Sequence, residues 1–154
     1  MPTSRDLPVD RLAVGQLLGR LLREFRTELF APAAERGYPD VRQPHLQIFG
    51  NLGVDGVRLT DLAARAQLSL AATSELVNEL QDLGYVERRP DASDRRAKLI
   101  LPTIRGRHAL DDAGNRVAEI EQHWSEIVGA ARFADACRTL QELVDKLNSE
   151  TNDA

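Results

Sequence analysis

Positive side chains are concentrated in one segment of the chain. Residues 85–107 carry seven arginines or lysines against three carboxylates, although the whole chain has 20 Lys and Arg, 24 Asp and Glu, and a formal net charge of −4. The densest part holds Arg95, Arg96 and Lys98. Guanidinium and ammonium groups at this density are suited to binding phosphates. The segment therefore predicts contact with a polyanion, and an ordinary solvated turn is the alternative.

The residue types that usually carry catalysis do not form a recognisable set. The chain lacks the patterns GxxxxGK, GxSxG and HExxH. Its three histidines, His45, His108 and His123, are scattered along the sequence. The single Cys137 can form neither an internal disulfide nor a metal site by itself. We therefore expect no enzyme activity, no cofactor and no metal. Cys137 lies on an apolar seam, which favours an inert buried thiol over a redox sensor.

Two helices separated by a tight turn precede the basic segment. Thr60 and Ser69 are good N-cap residues, and each opens a helical pattern; the second helix spans about residues 70–83 and ends before Gly84. Its inner face carries Thr73, Leu76, Val77, Leu80 and Leu83. Its outer face carries Ser69, Ala71, Ser74, Glu75, Asn78, Glu79 and Asp82. Such an outer face can enter the major groove of B-DNA and reach base edges.

A β-hairpin follows this helix. Residues 85–89 and 97–101 are two short strand-like runs, and the polar spacer 90–96 between them predicts a long basic tip. Arginine at the tip of a hairpin can contact phosphates or enter the narrow, electronegative minor groove. The order helix, turn, helix, hairpin is that of a winged helix-turn-helix.

Longer helices flank this region on both sides. We expect a helix over about residues 9–30, a short one over 44–52, a long one capped by Thr103, and a last one after Gly129, with a loose tail from Asn148. The two C-terminal helices have apolar residues at spacings of three and four, which favours an intertwined dimer over seams that pack only on their own chain. No apolar run approaches the roughly 18 residues of a membrane span. With no apolar leader either, we expect a cytoplasmic protein without a membrane partner.

Residues 58–107 resemble the MarR family of bacterial regulators. The motifs that carry this resemblance are Leu59-Thr60-Asp61-Leu62-Ala63, Leu68-Ser69, Leu76-Val77, Leu80-x-x-x-Gly84-Tyr85-Val86-Glu87-Arg88, Pro90-Asp91-x-x-Asp94-Arg95-Arg96-Ala97-Lys98 and Thr103-x-x-Gly106-Arg107. The resemblance implies a mainly α fold with a small β-hairpin wing (α+β). Within it, residues 41–102 would form the winged helix-turn-helix domain, and residues 1–40 with 103–150 a helical dimerisation region.

The resemblance also implies a function. It is that of a homodimeric transcriptional regulator on pseudo-palindromic double-stranded operator DNA, usually a repressor released by an aromatic or phenolic effector or by thiol oxidation. Arg96 falls at the position of the family's minor-groove arginine, and Asp94 at that of a carboxylate that steadies the tip. The candidate DNA-binding residues are Arg65, Ser69, Ala71, Ser74, Glu75, Asn78, Arg88, Asp94, Arg95, Arg96 and Lys98.

Two questions stay open at this level. Family pockets imply Arg42, His45 and Phe49 as effector-binding residues, whereas His45 by itself is more typical of a hydrogen-bonded or exposed histidine without a ligand. Glu75 and Glu79 are acidic where many relatives carry basic residues. Glu75 could accept a hydrogen bond from cytosine N4, or both could mark a winged-helix dimer that serves as a protein-interaction module with weak operator binding.

Overall fold

This computed structural model describes residues 7–31 and 37–152 of the chain. The element order is α1 (Val14–Phe30), α2 (His45–Phe49), β1 (Val57–Arg58), α3 (Leu59–Ala66), α4 (Leu70–Asp82), β2 (Val86–Asp91), β3 (Asp94–Pro102), α5 (Ile104–Val128) and α6 (Ala130–Asn152). The expected mainly helical fold with a small β wing is confirmed. The chain divides into two compact units, Met1–Gly114 and Asn115–Ala154.

The helix-turn-helix is formed by α3 and α4. Gln67, with φ of 55°, ends α3 in the left-handed conformation, and the Ser69 hydroxyl accepts a hydrogen bond from the Ala72 N–H at 3.1 Å, as an N-cap should. The expected cap at Thr60 is wrong. Helix α3 begins at Leu59, directly after strand β1, because pairing of Arg58 with Leu99 of β3 fixes where extended backbone ends.

The end of α4 is a Schellman motif. Gly84 has φ of 83°, its N–H donates to the Gln81 carbonyl, and the N–H of Tyr85 donates to the Leu80 carbonyl at 2.9 Å. The C-terminal glycine expected at this position is therefore confirmed, and it turns the chain directly from α4 into the first strand of the wing.

The sheet has the antiparallel order β1-β3-β2. The sequence did not predict β1, which is only two residues long and pairs Val57 with Ile100. The expected long tip over residues 90–96 is also wrong, because β2 continues to Asp91 and β3 starts at Asp94. Pro90 fits within β2 since β2 is an edge strand, where one missing N–H costs little.

The core of the first unit lies between these elements. Its largest fully buried side chains include Ile48, Leu62, Leu80, Tyr85 and Ile100. Phe49 and Val57 complete the contact between α2 and the sheet. Burial of these apolar side chains fixes α4 on α2 and α3 and leaves the opposite face of α4 in solvent.

Close packing explains the Thr103-x-x-Gly106 motif. The Thr103 hydroxyl accepts from the Gly106 N–H at 3.1 Å and donates to the Gly84 carbonyl at 2.6 Å, so the predicted cap is confirmed. A Cβ on Gly106 would lie 2.0 Å from the Tyr85 carbonyl oxygen. Only glycine therefore lets the start of α5 approach the start of the wing so closely.

Helix ends differ from the expectation in three places. α1 begins at Val14 instead of near residue 9. At this start the Gln16 side chain accepts a hydrogen bond from the Ala13 N–H at 3.1 Å. α2 ends at Phe49 because residues 50–52 turn away. α6 continues to Asn152, so the loose tail expected from Asn148 is wrong as far as the described residues reach.

Candidate nucleic-acid interface

The outer face of α4 is the most regular exposed surface of the helix-turn-helix. Thr73, Val77 and Leu80 are buried, which directs Ala71, Glu75 and Asn78 into solvent. Ser74 is half-buried beside them, and Ser69 is exposed at the N-terminus of the helix. The face thus presents small and polar groups over more than two turns. The sequence predicts these side chains as candidates for DNA contact.

Glu79 does not belong to this face, contrary to expectation. Its carboxylate turns toward α2, where it contacts His45 Nε2 at 2.8 Å and pairs with the Arg42 guanidinium. His45 is buried, and its Nδ1 accepts from the Arg42 backbone N–H at 2.9 Å, which leaves the proton on Nε2 to be donated to Glu79. The bonds from His45 and Arg42 lower the pKa of Glu79. The cluster fastens α4 to α2.

Arg88 connects the wing to the outer face of α4. From β2 its guanidinium donates to Asn78 Oδ1 at 2.8 Å and to Gln81 Oε1. Sequence reasoning singled out Arg88 and Asn78 separately but did not find that they touch. Gln81 was missed altogether, although it lies three residues after Asn78 on the same helix face.

The tip of the wing is built around Asp91. Its Oδ1 accepts from the N–H and hydroxyl of Ser93 at 3.0 and 2.8 Å, and its Oδ2 accepts from Nε and Nη2 of Arg58 at 2.9 and 2.7 Å. The hydrogen bonds from Ser93 and then from Arg58 lower the pKa of Asp91 to about 2. The resemblance pointed instead to Asp94, which accepts from the Arg96 backbone N–H at 3.1 Å. The spacing of Asp91 and Ser93 is that of an Asx turn, a signal that could have identified Asp91.

Three cations of the wing are exposed on β3. Arg95, Arg96 and Lys98 form no ion pair within the part of the chain that the structure describes. The register of the hairpin changes between the Pro90–Lys98 and Asp91–Asp94 pairs, so Arg95 and Arg96 lie in an irregular stretch of β3 between paired residues. Arg65 is exposed in the last turn of α3. These groups can donate hydrogen bonds to phosphate oxygens without first breaking a salt bridge.

A buried tyrosine positions the junction between α4 and the wing. The Tyr85 hydroxyl donates to Asp40 Oδ1 at 2.6 Å, and the Arg105 guanidinium lies 4.3 Å from the centre of the ring. Arg105 also donates to the Leu83 carbonyl at 2.6 Å. Burial and the bond to Asp40 raise the pKa of Tyr85. Phe49, expected to line an effector pocket, packs edge-on against this ring at 5.7 Å and is buried in the core.

The described residues contain no candidate metal site, no buried thiol and no candidate membrane-spanning helix. Among the described residues, no group of three or more His, Cys, Asp and Glu is placed to hold a metal ion. Cys137, expected to be buried, is exposed on α6. No helix within the described ranges is long and apolar enough to cross a membrane.

The fold and the site define a winged helix-turn-helix protein. The family model described as MarR family matches residues 40–97. The transcriptional activatory protein BadR of Rhodopseudomonas palustris is 27% identical over 95 residues, which are 62% of this chain and 53% of that protein. The chain thus spans about half the length of this curated relative.

Solved structures agree with that assignment. A MarR-family regulator from Rhodococcus sp. RHA1 is 27% identical with a TM-score of 0.69, covering 91% of this chain and 96% of that one. CouR from Rhodococcus jostii RHA1, solved with p-coumaroyl-CoA, is 29% identical with a TM-score of 0.67, covering 84% and 90%. Wild-type MarR from E. coli, at 18% identity and a TM-score of 0.64 over 89% and 98%, shares the fold. Residues 40–97 of this chain thus match the MarR family model, and the described chain has the winged-helix fold of MarR-family structures.

Proposed function

We propose that the protein is a sequence-specific repressor that binds a pseudo-palindromic operator as a homodimer and leaves it when a small aromatic ligand binds. One observation carries the DNA-binding part: the exposed face of α4 lies next to a wing whose Arg95, Arg96 and Lys98 have no ion pair among the described residues. In this proposal α4 enters the major groove and the wing enters the adjacent minor groove.

The residues divide by the contact each makes. One group, on α4, faces base edges or the phosphates beside them: Ser69, Ala71, Ser74, Glu75 and Asn78. A second group binds phosphates: Arg65, Arg95 and Lys98. Arg96 enters the minor groove, and Asp94 holds the backbone from which Arg96 projects. Phosphate contacts give most of the affinity and make it salt-dependent, while base contacts select the sequence.

Exposed leucines support the homodimer. On α1, Leu17, Leu18, Leu21 and Leu22 are all at least 36% exposed, and on α6 Leu140, Leu143, Val144 and Leu147 are at least 44% exposed. Apolar stripes of this length on soluble helices mark interfaces. A twofold dimer would present two copies of α4, which matches two half-sites about one helical turn apart. The terminal helices, residues 1–40 and 103–150, would then be the dimerisation region and residues 41–102 the DNA-binding domain.

An aromatic acid, or its thioester, is the ligand class that we propose as effector. CouR, to which this chain is similar, was solved with p-coumaroyl-CoA and, in another structure, as a transcriptional repressor on a 23-mer DNA duplex. Of the effector candidates, Arg42 is exposed and its charge suits a carboxylate or phosphate, whereas His45 and Phe49 are buried behind it. Because Arg42 and His45 both bind Glu79 of α4, an anion that competes with Glu79 would loosen α4.

Fluorescence anisotropy with DNA from upstream of the protein's own gene tests this function. We expect binding that survives unrelated competitor DNA at two salt concentrations and is reversed by p-coumaroyl-CoA or p-coumarate but not by CoA alone. Arg96→Ala should weaken binding to all sequences and lower the salt slope by about one. Arg95→Ala removes the same charge from a phosphate contact and should lower the salt slope by a similar amount, so a larger loss of affinity in Arg96→Ala is the result that entry into the minor groove predicts.

The outcome also decides the alternative function. Binding without any sequence preference would favour the protein-interaction module, which was suggested by the acidic residues Glu75 and Glu79 on α4. Only Glu75 still supports this alternative, because Glu79 is bound to α2. A reporter gene driven by the operator distinguishes repression from activation, and BadR is named as a transcriptional activatory protein.

A further inference from the structure

Arg88 does more than add charge to the wing. Its guanidinium lies between the wing and α4 and donates to two amide oxygens of α4, those of Asn78 and Gln81. We infer that Arg88 is a specificity-determining positioning residue: it fixes the Asn78 amide so that its NH₂ group, and not its oxygen, meets the DNA. This inference rests on the proposed DNA-binding function.

The chemistry of the two groups determines the amide orientation. A guanidinium has five N–H donors and no acceptor, so an amide that contacts it must turn its oxygen toward it. The NH₂ group of Asn78 is then at the opposite side of the same planar group. With Arg88 in place, the flipped amide would put two donors against each other, which costs the hydrogen bond and leaves an unfavourable contact.

Arg88 is well held for this task. It lies in β2 opposite Ile100 of β3, a buried residue of the core, so its backbone is fixed by the sheet. Its side chain is half-buried, and the second bond, to Gln81, fixes the plane of the guanidinium. Asn78 is exposed on the outer face of α4, three residues after Glu75. The amide is thus set in the free protein, before DNA binds.

A donor at this position selects a class of base. In the major groove guanine presents only acceptors, O6 and N7, and thymine presents O4, whereas cytosine presents an N4 donor and adenine both an N6 donor and N7. The two-bond pairing of asparagine with adenine needs the amide oxygen to accept from N6, and with the Arg88 guanidinium at that oxygen Asn78 meets adenine only as a donor to N7. Asn78 therefore disfavours cytosine, whose major-groove edge offers no acceptor, and favours guanine, whose edge offers two.

Glu75 provides the opposite hydrogen-bonding sense on the same face. Its carboxylate only accepts, so it suits the amino group of cytosine or adenine. Along α4 the face thus carries an acceptor, Glu75, followed about one turn later by a donor, Asn78. Glu75, although acidic, then contacts a base next to the one that Asn78 contacts.

The substitution Asn78→Asp replaces the hydrogen-bond donor that faces the DNA with an acceptor, with almost no change in the shape of the side chain. One carboxylate oxygen keeps the bond to Arg88, and the other replaces the NH₂ group facing the DNA. We expect the preferred base at one position of each half-site to change from guanine to cytosine, with a change in relative affinity of about tenfold there. The measurement is competition of every singly substituted operator against the starting operator in the anisotropy assay.

Arg88→Leu frees both amides, and Arg89→Leu is its matched control. Arg89 is the adjacent arginine of β2 and pairs with Glu87 at 2.6 Å. We expect Arg88→Leu to relax the preference for guanine at that one position, because adenine can then bind Asn78 through both N6 and N7, and to shift the side-chain NH₂ resonances of Asn78 and Gln81 in the free protein. Arg89→Leu should lower affinity for all sequences alike and leave those resonances unchanged.

The results separate this inference from the proposed function. A selective wild-type protein whose base profile is the same in Arg88→Leu as in Arg89→Leu would overturn the positioning role and leave the regulator intact. Unchanged base preference in a folded Asn78→Asp variant would do the same. A wild-type protein that selects no sequence at all would overturn the regulator, and this inference with it.

Discussion

Asp91 and Arg58 illustrate what single residues contribute to the wing. Both oxygens of Asp91 are occupied, one by Ser93 and the other by Arg58, so the carboxylate joins the tip to the start of α3. The tip is a tight turn between two long strands instead of a long basic loop. Arg95 and Arg96 lie between Asp94 and Lys98, which are both paired with β2, so the short stretch that carries the two arginines is held at both ends, which lowers the entropy lost when they bind DNA.

The pH dependence of this turn follows from the pKa of Asp91. The folded value of about 2 is below the ordinary value near 3.9, so the bonds of the carboxylate stabilise the turn above about pH 4 and are lost as the pH falls toward 2. We expect Asp91→Asn to speed hydrogen exchange of the Ser93 amide at neutral pH by about tenfold or more, the size of a lost bond to a charged group. Exchange measured by NMR tests this. Asp55→Asn, at an exposed loop carboxylate, is the control, and equal exchange in both variants would contradict the role of Asp91.

At the scale of elements, the start of α5 and the start of the wing are joined through one glycine. Thr103 bonds both to Gly106 of its own helix and to the carbonyl of Gly84, and Arg105 reaches the Leu83 carbonyl and the Tyr85 ring. The long helix is thereby connected to the end of α4. A displacement of the start of α5 would therefore act on the end of α4 through these contacts.

Two glycines of α5 give a matched test of this junction. Gly106→Ala places a Cβ 2.0 Å from the Tyr85 carbonyl oxygen, and we expect it to lower the free energy of unfolding by about 1–3 kcal/mol. Gly114→Ala meets no atom within 4 Å, and the better helix propensity of alanine should raise stability by up to about 1 kcal/mol. Urea unfolding followed by circular dichroism measures both. Equal effects of the two substitutions would show that the close approach has no energetic weight.

At the scale of the whole molecule, the described chain leaves much apolar surface in solvent. Most of the exposed leucines and valines lie on α1 and α6, and Leu70 is the one exposed leucine among the described residues of the helix-turn-helix. Covering the stripes of α1 and α6 with a second copy would remove this surface from water and bring two copies of α4 into one molecule. Affinity for a palindromic operator would then depend on protein concentration.

A charge within one apolar stripe tests the dimer. Leu143→Glu places a carboxylate in the middle of the stripe on α6, and we expect sedimentation to show the chain mass where the wild-type protein shows twice that mass. Operator affinity should fall by at least about tenfold, because one half-site remains unread. Val54→Glu makes the same change at a 64%-exposed valine in the loop after α2 and should leave both measurements unchanged. A wild-type protein that sediments as a monomer would refute the dimer.

Local patterns in the sequence were sufficient for the elements that position the site. The cap at Ser69, the glycine after α4 and the cap at Thr103 are interactions between residues a few positions apart, so the sequence contains all of their parts. The apolar spacing of α4 identified Thr73, Val77 and Leu80 as its buried face. The two strands of the wing followed from the change of period after Gly84.

Only the tertiary structure decided which polar groups meet. The direction of Glu79 depends on α2, which is 34 residues away along the chain at His45, and the partner of Asp91 comes from a two-residue strand with too little pattern to predict. The orientation of the Asn78 amide depends in the same way on Arg88 of the wing. Periodicity tells which face of a helix is buried, but it carries no information about the neighbour that packs beside an exposed polar group. That neighbour is set by how the elements pack together.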